Sequence, residues 1–194
     1  MKNIAVLVSG GGTNLQALIN AQIDGIISSG KITLVVSNNP DAYALTRAQN
    51  SGIKTVVCNK KVLSDKFEDE LIAVLEKNNI DFIVLAGFMC ILSEKFTTRF
   101  ANRIINVHPS LIPSFCGKGF YGLKVHEAAL EYGVKVTGAT VHFVNEIPDG
   151  GKIIMQKAVN ILENDTPETL QKRVMEEAEW RILPLALEKV CSEP

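Results

Sequence analysis

The chain has 194 residues, of which 46% are apolar and 21% charged, and its net charge is −1. These values are close to globular averages, and the length predicts one domain over residues 1–194. The small net charge gives no indication of a nucleic-acid partner. Four widely spaced cysteines and three histidines predict neither a disulfide framework nor a metal site. The first apolar run, residues 4–8, is too short for a signal sequence or a membrane span, which predicts a cytoplasmic protein without a membrane partner.

Short apolar runs alternate with helical patterns in the first half of the chain. The runs that predict strands are residues 4–8, 32–36, 53–58, 81–86 and 103–107. The patterns that predict amphipathic helices are residues 14–21, 42–51 and 66–78. This rhythm predicts an α/β fold, a single-domain, Rossmann-like and mostly parallel sheet with helices on both faces.

The pattern changes after the fifth predicted strand. Residues 109–122 contain two prolines and three glycines, which predicts a functional loop rather than a simple connection. A helix at residues 125–131 and two longer strands at 136–144 and 153–159 are predicted next, and this part supplies an antiparallel C-terminal strand. A final helix is predicted from Pro167 to about Cys191.

A glycine-rich turn connects the first predicted strand to the first helix, with the sequence Ser-Gly-Gly-Gly-Thr-Asn at residues 9–14. Glycine allows close backbone approach to a ligand, and the N–H groups at a helix start favour an anion such as phosphate. The dinucleotide-binding motif is excluded because Leu15 stands where a third glycine is needed, and the Gly-Lys-Ser/Thr of a P-loop is missing. A phosphate site is favoured, and a tight turn without a ligand is the alternative.

Polar residues at the end of the fifth strand form a second candidate site. Strand alternation places Asn106 and His108 on one face, where an amide donor and a titratable imidazole would lie together. The alternative is a core histidine that bonds to the backbone. Asp149 is a third candidate, but it also fits an ordinary hairpin turn, and its spacing alone does not bring it to His108. His126 is predicted to be solvated, and His142 to pack or hydrogen bond near the site.

Four segments carry a recognisable family pattern, namely VSGGGTNLQ, LAGFM, NVHPSL, and GATVHFV followed by DGG. In these segments the chain resembles the phosphoribosylglycinamide formyltransferase family over nearly its whole length. The resemblance implies that 10-formyltetrahydrofolate, as co-substrate, gives its formyl group to the amine of 5'-phosphoribosylglycinamide in purine (IMP) biosynthesis. Direct transfer through a tetrahedral intermediate, without a metal, is implied. The expected partners are small-molecule substrates, and the expected assembly is a monomer or homodimer.

The resemblance also assigns roles to residues of this chain. The implied catalytic residues are Asn106, His108 and Asp149. The implied substrate-binding residues are Gly11, Gly12, Thr13, Asn14 and Glu179, the last with a helix register that is shifted by one. The implied folate-binding residues are Ser64, Met89, Cys90, Ile91, Leu92, Asn145, Glu146, Ile147 and Pro148. Three residues depart from the family pattern, because Cys90 and Ser64 stand where basic residues are common and Trp180 where histidine is common.

The implied chemistry leads to one electrostatic expectation and three rival functions. A close Asp149 carboxylate is expected to raise the pKa of His108 and keep it protonated. Formyltetrahydrofolate hydrolase and methionyl-tRNA formyltransferase share the same three polar residues, but each carries an extra domain for which this chain has no room. A nucleotide sensor on a similar sheet is the third rival, and it would not need all three residues.

Overall fold

The computed structural model describes residues 1–193, and one seven-stranded sheet organises them. The strands are β1 (Lys2–Val8), β2 (Gly30–Ser37), β3 (Lys54–Val57), β4 (Phe82–Leu85), β5 (Ile104–His108), β6 (Val136–Phe143) and β7 (Ile153–Asn160). Their order across the sheet is β3-β2-β1-β4-β5-β6-β7. The first five pair in parallel, β6 runs antiparallel to β5, and β7 runs antiparallel to β6. The predicted mostly parallel sheet with an antiparallel C-terminal strand is confirmed.

The helices lie on both faces of this sheet, as the sequence predicts. They are α1 (Thr13–Ile23), α2 (Tyr43–Asn50), α3 (Lys60–Leu63), α4 (Phe67–Lys77), α5 (Glu94–Arg99), α6 (Leu123–Tyr132), α7 (Pro167–Val174) and α8 (Trp180–Ser192). One apolar core joins the sheet to α1, α7 and α8, and a second core joins the opposite face to α4 and α5. The central strand β1 is apolar throughout its buried part because both of its faces are covered.

Two features of the helices differ from the sequence prediction. Helices α3 and α5 were not predicted, since α3 has four residues and buries none, and α5 has six and buries only Phe96 and Thr97, too few to produce a periodic pattern. The predicted final helix is interrupted, because a π-helical segment, Met175–Glu179, separates α7 from α8. Within residues 1–193, the structure contains no helix that is both long and apolar enough to cross a membrane.

His126 is buried, so the prediction of a solvated position was wrong. It lies in α6 beside Val125, on the face that also buries Ala129, and its exposed fraction is 0%. Neither ring nitrogen has a hydrogen-bond partner among the described residues. Burial, together with a smaller effect of the nearby His108, lowers the pKa of His126 from 6.5 to about 4. His126 is therefore neutral in the folded protein at neutral pH.

This burial predicts a specific dependence of stability on pH. Between pH 6.5 and about pH 4, His126 binds a proton in the unfolded chain but not in the folded chain. The free energy of unfolding should therefore fall as the pH falls through this window, by up to roughly 1.4 kcal/mol per pH unit from this residue. His126→Leu should remove that contribution while remaining folded at pH 8. Denaturant unfolding of both proteins from pH 8 to pH 4 tests this, and parallel curves would contradict it.

Candidate active site

The candidate site lies at the carboxyl ends of β1, β4 and β5, where ligands bind in open α/β sheets. Three loops and the glycine turn meet there. The Met89 N–H donates to Ser9 Oγ at 2.8 Å, which joins the loop after β4 to the turn after β1. The Gly117 N–H donates to Asp149 Oδ2 at 2.8 Å, which joins the loop after β5 to the β6–β7 connection. These contacts bring segments far apart in sequence to one crevice.

Asn106, His108 and Asp149 are brought together, and His142 joins them. The β5–β6 register pairs Asn106 with His142, so both lie on the sheet beside His108. Asp149 reaches the two imidazoles from the β6–β7 connection, with Oδ2 at 3.5 Å from His108 Nδ1 and Oδ1 at 3.5 Å from His142 Nε2. Its positive φ of 55° is a left-handed conformation that turn aspartates tolerate. Asp149 is thus both a turn residue and a member of the cluster.

The hydrogen bonds within the cluster fix which ring nitrogens carry protons. A carbonyl only accepts, so His108 Nε2–H donates to the Phe115 carbonyl at 2.8 Å, and His142 Nδ1–H donates to the Phe143 carbonyl at 2.8 Å. The Nε2 atom of a neutral His142 is then an acceptor, and the Asn106 amide donates to it at 3.3 Å. His142 therefore orients the amide of Asn106.

The charge state of His108 differs from the sequence-based expectation. His108 is 4% exposed, and its burial lowers the pKa more than the nearby Asp149 carboxylate raises it, so the pKa lies below the ordinary 6.5. The expectation that Asp149 holds this pKa above its ordinary value was wrong. Burial raises the pKa of Asp149, but its contacts with His142, His108 and the Gly117 N–H together lower that pKa below its ordinary value. At neutral pH the cluster contains a carboxylate beside a neutral His108.

The glycine turn lies at the start of α1, beside a buried carboxyl group. The first backbone bond of the helix runs from Gln16 N–H to the Gly12 carbonyl, so the earlier N–H groups have no partner within the helix. Asn14 Nδ2–H donates to Glu179 Oε2 at 2.7 Å. Glu179 is almost fully buried, and this burial raises its pKa to about 7. The predicted substrate residues Gly11, Gly12, Thr13, Asn14 and Glu179 are therefore neighbours.

A π-helical segment lies directly before α8, at the position of Glu179. A π turn adds one residue to a helix, and such turns are frequent at functional sites. Here it ends at Glu179 and precedes Trp180. The extra residue changes which side chain faces α1, and Glu179 is the one that meets Asn14. No pattern in the sequence indicates a π turn, so the contact was beyond sequence reasoning.

The predicted folate-binding residues lie mainly at the mouth of the crevice. Met89, Ile91 and Ile147 are large apolar side chains that are more than half exposed, whereas Leu92 is buried. Cys90 is half-buried, and its Sγ accepts a hydrogen bond from Asn38 Nδ2 at 2.9 Å.

The remaining predicted folate residues differ in how close they come to this mouth. Asn145, Glu146 and Pro148 belong to the β6–β7 connection that also carries Asp149. Asn145 Oδ1 accepts from the Ile147 N–H at 3.0 Å, which shapes that connection. Ser64 is exposed at the end of α3, outside this mouth. Asn145, Glu146, Ile147 and Pro148 thus share a connection with Asp149, and Met89 contacts the glycine turn through Ser9.

Comparison with known proteins identifies the family. The profile of the formyl transferase family, Formyl_trans_N, matches residues 2–187. The chain belongs to this family. A phosphoribosylglycinamide formyltransferase of Haemophilus influenzae is 45% identical over 189 residues, which cover 96% of this chain and 86% of that protein. The crystal structure of glycinamide ribonucleotide transformylase 1 from Symbiobacterium toebii has a TM-score of 0.91 and 41% identity, covering 98% of this chain and 88% of that one.

Some relatives within this formyl transferase family are longer than the chain. A chloroplastic phosphoribosylglycinamide formyltransferase of Arabidopsis thaliana is 41% identical over 195 residues, and the match covers 99% of this chain but 66% of that protein. The human trifunctional purine biosynthetic protein adenosine-3 is 46% identical over 191 residues, which cover 97% of this chain and 18% of that protein. The chain thus spans slightly less than two thirds of the plant relative and under a fifth of the human one.

The loop at residues 109–122 is predicted to respond to ligand binding. Its backbone bonds to two members of the cluster, through the Phe115 carbonyl and the Gly117 N–H. A segment with few backbone bonds opens easily, so a folate analogue that packs against it should slow its amide exchange. Hydrogen exchange with and without the analogue tests this, with the amides of α4 as the internal reference. Strong protection in both states would contradict a lid.

Proposed function

We propose that the chain transfers a formyl group from 10-formyltetrahydrofolate to the amine of phosphoribosylglycinamide in purine biosynthesis. The observation that carries this proposal is the meeting of Asn106, His108 and Asp149 at the same edge of the sheet as the glycine turn. This arrangement combines hydrogen-bond donors with a carboxylate, which acyl transfer to an amine requires. Relatives at 41–46% identity carry names that state the same activity or the purine pathway. Residues 1–194 then form one formyltransferase domain.

The substrate phosphate is proposed to bind at the glycine turn. The N–H groups at the start of α1 supply donors, and the helix dipole favours the negative charge. Asn14 is held by Glu179, whose carboxyl group can accept from a ribose hydroxyl group. Thr13 is exposed at the first helical position, where its hydroxyl can donate to a phosphate oxygen. With its phosphate at the turn, the substrate is proposed to extend its glycine arm toward the cluster at β5.

The folate head group is proposed to bind at the mouth that Met89, Ile91 and Ile147 line. Exposed apolar side chains suit a flat aromatic ring system, so the residues present fit the group. The bound folate supplies the formyl carbon that the amine attacks. Cys90 and Ser64 provide no positive charge, so the acidic folate tail is held less strongly by these two positions than where basic residues stand.

The chain's own residues then stabilise the charge that develops and move protons. The Asn106 amide donates to the developing oxyanion, and one such donor contributes about 3 kcal/mol of transition-state stabilisation. His108 adds a second donor once the Phe115 carbonyl moves off Nε2. Asp149 is ionised and accepts the proton that the attacking amine loses, directly or through water. This scheme requires neither a covalent nucleophile nor a residue from the exposed surface.

A transfer assay distinguishes the proposed activity from its rivals. Wild-type protein is incubated with 10-formyltetrahydrofolate and phosphoribosylglycinamide, and both formylated product and free folate are measured. Stoichiometric formation of the two products supports the proposal. Release of formate without acceptor would indicate a hydrolase, transfer only to methionyl-tRNA would indicate the tRNA enzyme, and folate binding without turnover would indicate a sensor. Glycinamide without the ribose phosphate is the matched acceptor control. Cytoplasmic location and a monomer or homodimer stay predictions.

A further inference from the structure

Helix α2 donates hydrogen bonds to two carbonyl groups of the glycine turn. The Ala44 N–H donates to the Gly10 carbonyl at 3.0 Å, and Arg47 Nε–H donates to the Gly11 carbonyl at 2.8 Å. Both donors come from one helix, so both carbonyls point to the same side. The turn therefore does not depend on its own short-range bonds for its orientation.

The direction of these carbonyls determines the direction of the turn's N–H groups. Ile112–Pro113 is the one cis peptide bond in residues 1–193, so the peptides of the turn are trans. In a trans peptide the N–H points opposite to the C=O. Because the carbonyls of Gly10 and Gly11 face α2, the N–H groups of Gly11 and Gly12 face away from it. They thereby join the unpaired N–H groups of the first turn of α1.

Arg47 is itself fixed rather than free to move. Its Nη1–H donates to Gln16 Oε1 at 3.2 Å, and its guanidinium lies over the Tyr43 ring at 5.0 Å from the centroid. Gly12 lies against the same helix, with a positive φ of 74° and a position where an added Cβ would be 2.6 Å from Ala44 Cβ. The close packing of the turn on α2 keeps the guanidinium within reach of the Gly11 carbonyl.

We propose that Arg47 is a positioning residue for the phosphate of the substrate. Arg47 orients the Gly11–Gly12 peptide so that the N–H of Gly12 faces the anion. The permanent positive charge of Arg47 also makes the electrostatic potential at the turn more positive. The inference rests on the proposed function, because it specifies how that site holds its anion. Arg47 acts through the backbone and takes no part in formyl transfer.

Substitutions at Arg47 separate this role from general stabilisation. Arg47→Met removes the donor and the charge, and Arg47→Lys keeps the charge without the Nε–H. We expect Arg47→Met to raise KM for phosphoribosylglycinamide about tenfold or more, as for loss of a charge-assisted hydrogen bond. KM for the formyl folate and kcat should stay within about twofold, because the cluster at β5 is unchanged. Arg47→Lys should fall between Arg47→Met and the wild type.

Arg181 provides a matched control. It is an exposed arginine on the groove that Arg47 also lines, but its Nε–H donates to the Glu176 carbonyl and not to the turn. Arg181→Met should leave KM for phosphoribosylglycinamide within about twofold. Equal rises in both KM values for Arg47→Met, or equal effects of the two substitutions, would overturn the proposal.

A binding measurement keeps this test independent of the proposed activity. Ribose 5-phosphate and inorganic phosphate are titrated into wild type and variants, and binding is followed by ³¹P NMR. Weaker binding of both probes to Arg47→Met, with wild-type binding by Arg181→Met, supports the inference even if the transfer assay fails. Unchanged binding by Arg47→Met would overturn it, while formyl transfer by the wild type would still support the proposed function.

Discussion

Replacing His108 with alanine is expected to lower the rate of formyl transfer by roughly two or more orders of magnitude and to leave the fold intact. The imidazole lies between the Asp149 carboxylate and the Phe115 carbonyl, with Nδ1 at 3.5 Å from Asp149 Oδ2 and Nε2–H donating to Phe115. Its loss removes a hydrogen bond to the developing oxyanion. It also removes a proton relay, because Nδ1 can take up the proton that Asp149 accepted from the amine while Nε2–H gives one to the leaving folate nitrogen.

Two variants and two measurements make this expectation specific. His108→Gln keeps an amide donor near the same position but cannot exchange a proton in the neutral range, so it should recover only part of the lost rate. Single-turnover rates isolate the chemical step from product release. Thermal unfolding of each variant shows whether the fold is retained. Transfer within a few-fold of wild type for His108→Ala would remove His108 from the chemistry.

The parallel half of the fold could be predicted from the sequence because its strands are buried on both faces. Such strands appear as continuous apolar runs, as in β1 and β2, and the intervening helices show a regular apolar spacing. Helix α5 could not be predicted, because six residues are too few to show the helical spacing of apolar residues. Its only other signal is the capping serine, Ser93. The apolar pattern in a sequence thus depends on how long and how buried a helix is, so a short helix can be present without it.

The candidate site was only partly accessible to sequence reasoning. Alternation along one strand predicted that Asn106 and His108 share a face. The position of Asp149 beside His108, in contrast, depends on the register of β5 with β6 and on the path of the β6–β7 connection. That register is a property of the folded sheet. The resemblance to a known family supplied Asp149, and the spacing of residues alone left it a turn residue.

The charge state of the histidines was the weakest part of the sequence reasoning. The sequence shows a carboxylate that can raise the pKa of His108, but it does not show how completely the ring is removed from water. Desolvation is the larger effect at His108, and at His126 it acts on a ring without a hydrogen-bond partner among the described residues. Burial of polar groups is decided by tertiary packing, and periodicity of apolar residues does not reveal it.

Asp149→Asn is expected to slow formyl transfer severely while changing the melting temperature little. Asparagine tolerates the left-handed backbone at this position, with φ of 55°, and its side-chain oxygen can still accept from the Gly117 N–H. The negative charge and the proton acceptor are lost. The attacking amine then has no carboxylate to take its proton, and His108 and His142 lose the negative charge that lies 3.5 Å from each ring.

The same substitution should change the titration of His108 in a defined direction. Asp149 raises the pKa of His108 against the stronger effect of burial, so removing its charge should move that pKa still further below 6.5. NMR titration of the imidazole, with rates measured on the same samples, tests both consequences. Glu163→Gln is the matched control, because it neutralises an exposed carboxylate outside the cluster of Asn106, His108, His142 and Asp149. If Asp149 were only a turn residue, Asp149→Asn would behave like Glu163→Gln in both measurements, and the proton acceptor of the reaction would have to be sought elsewhere in the crevice.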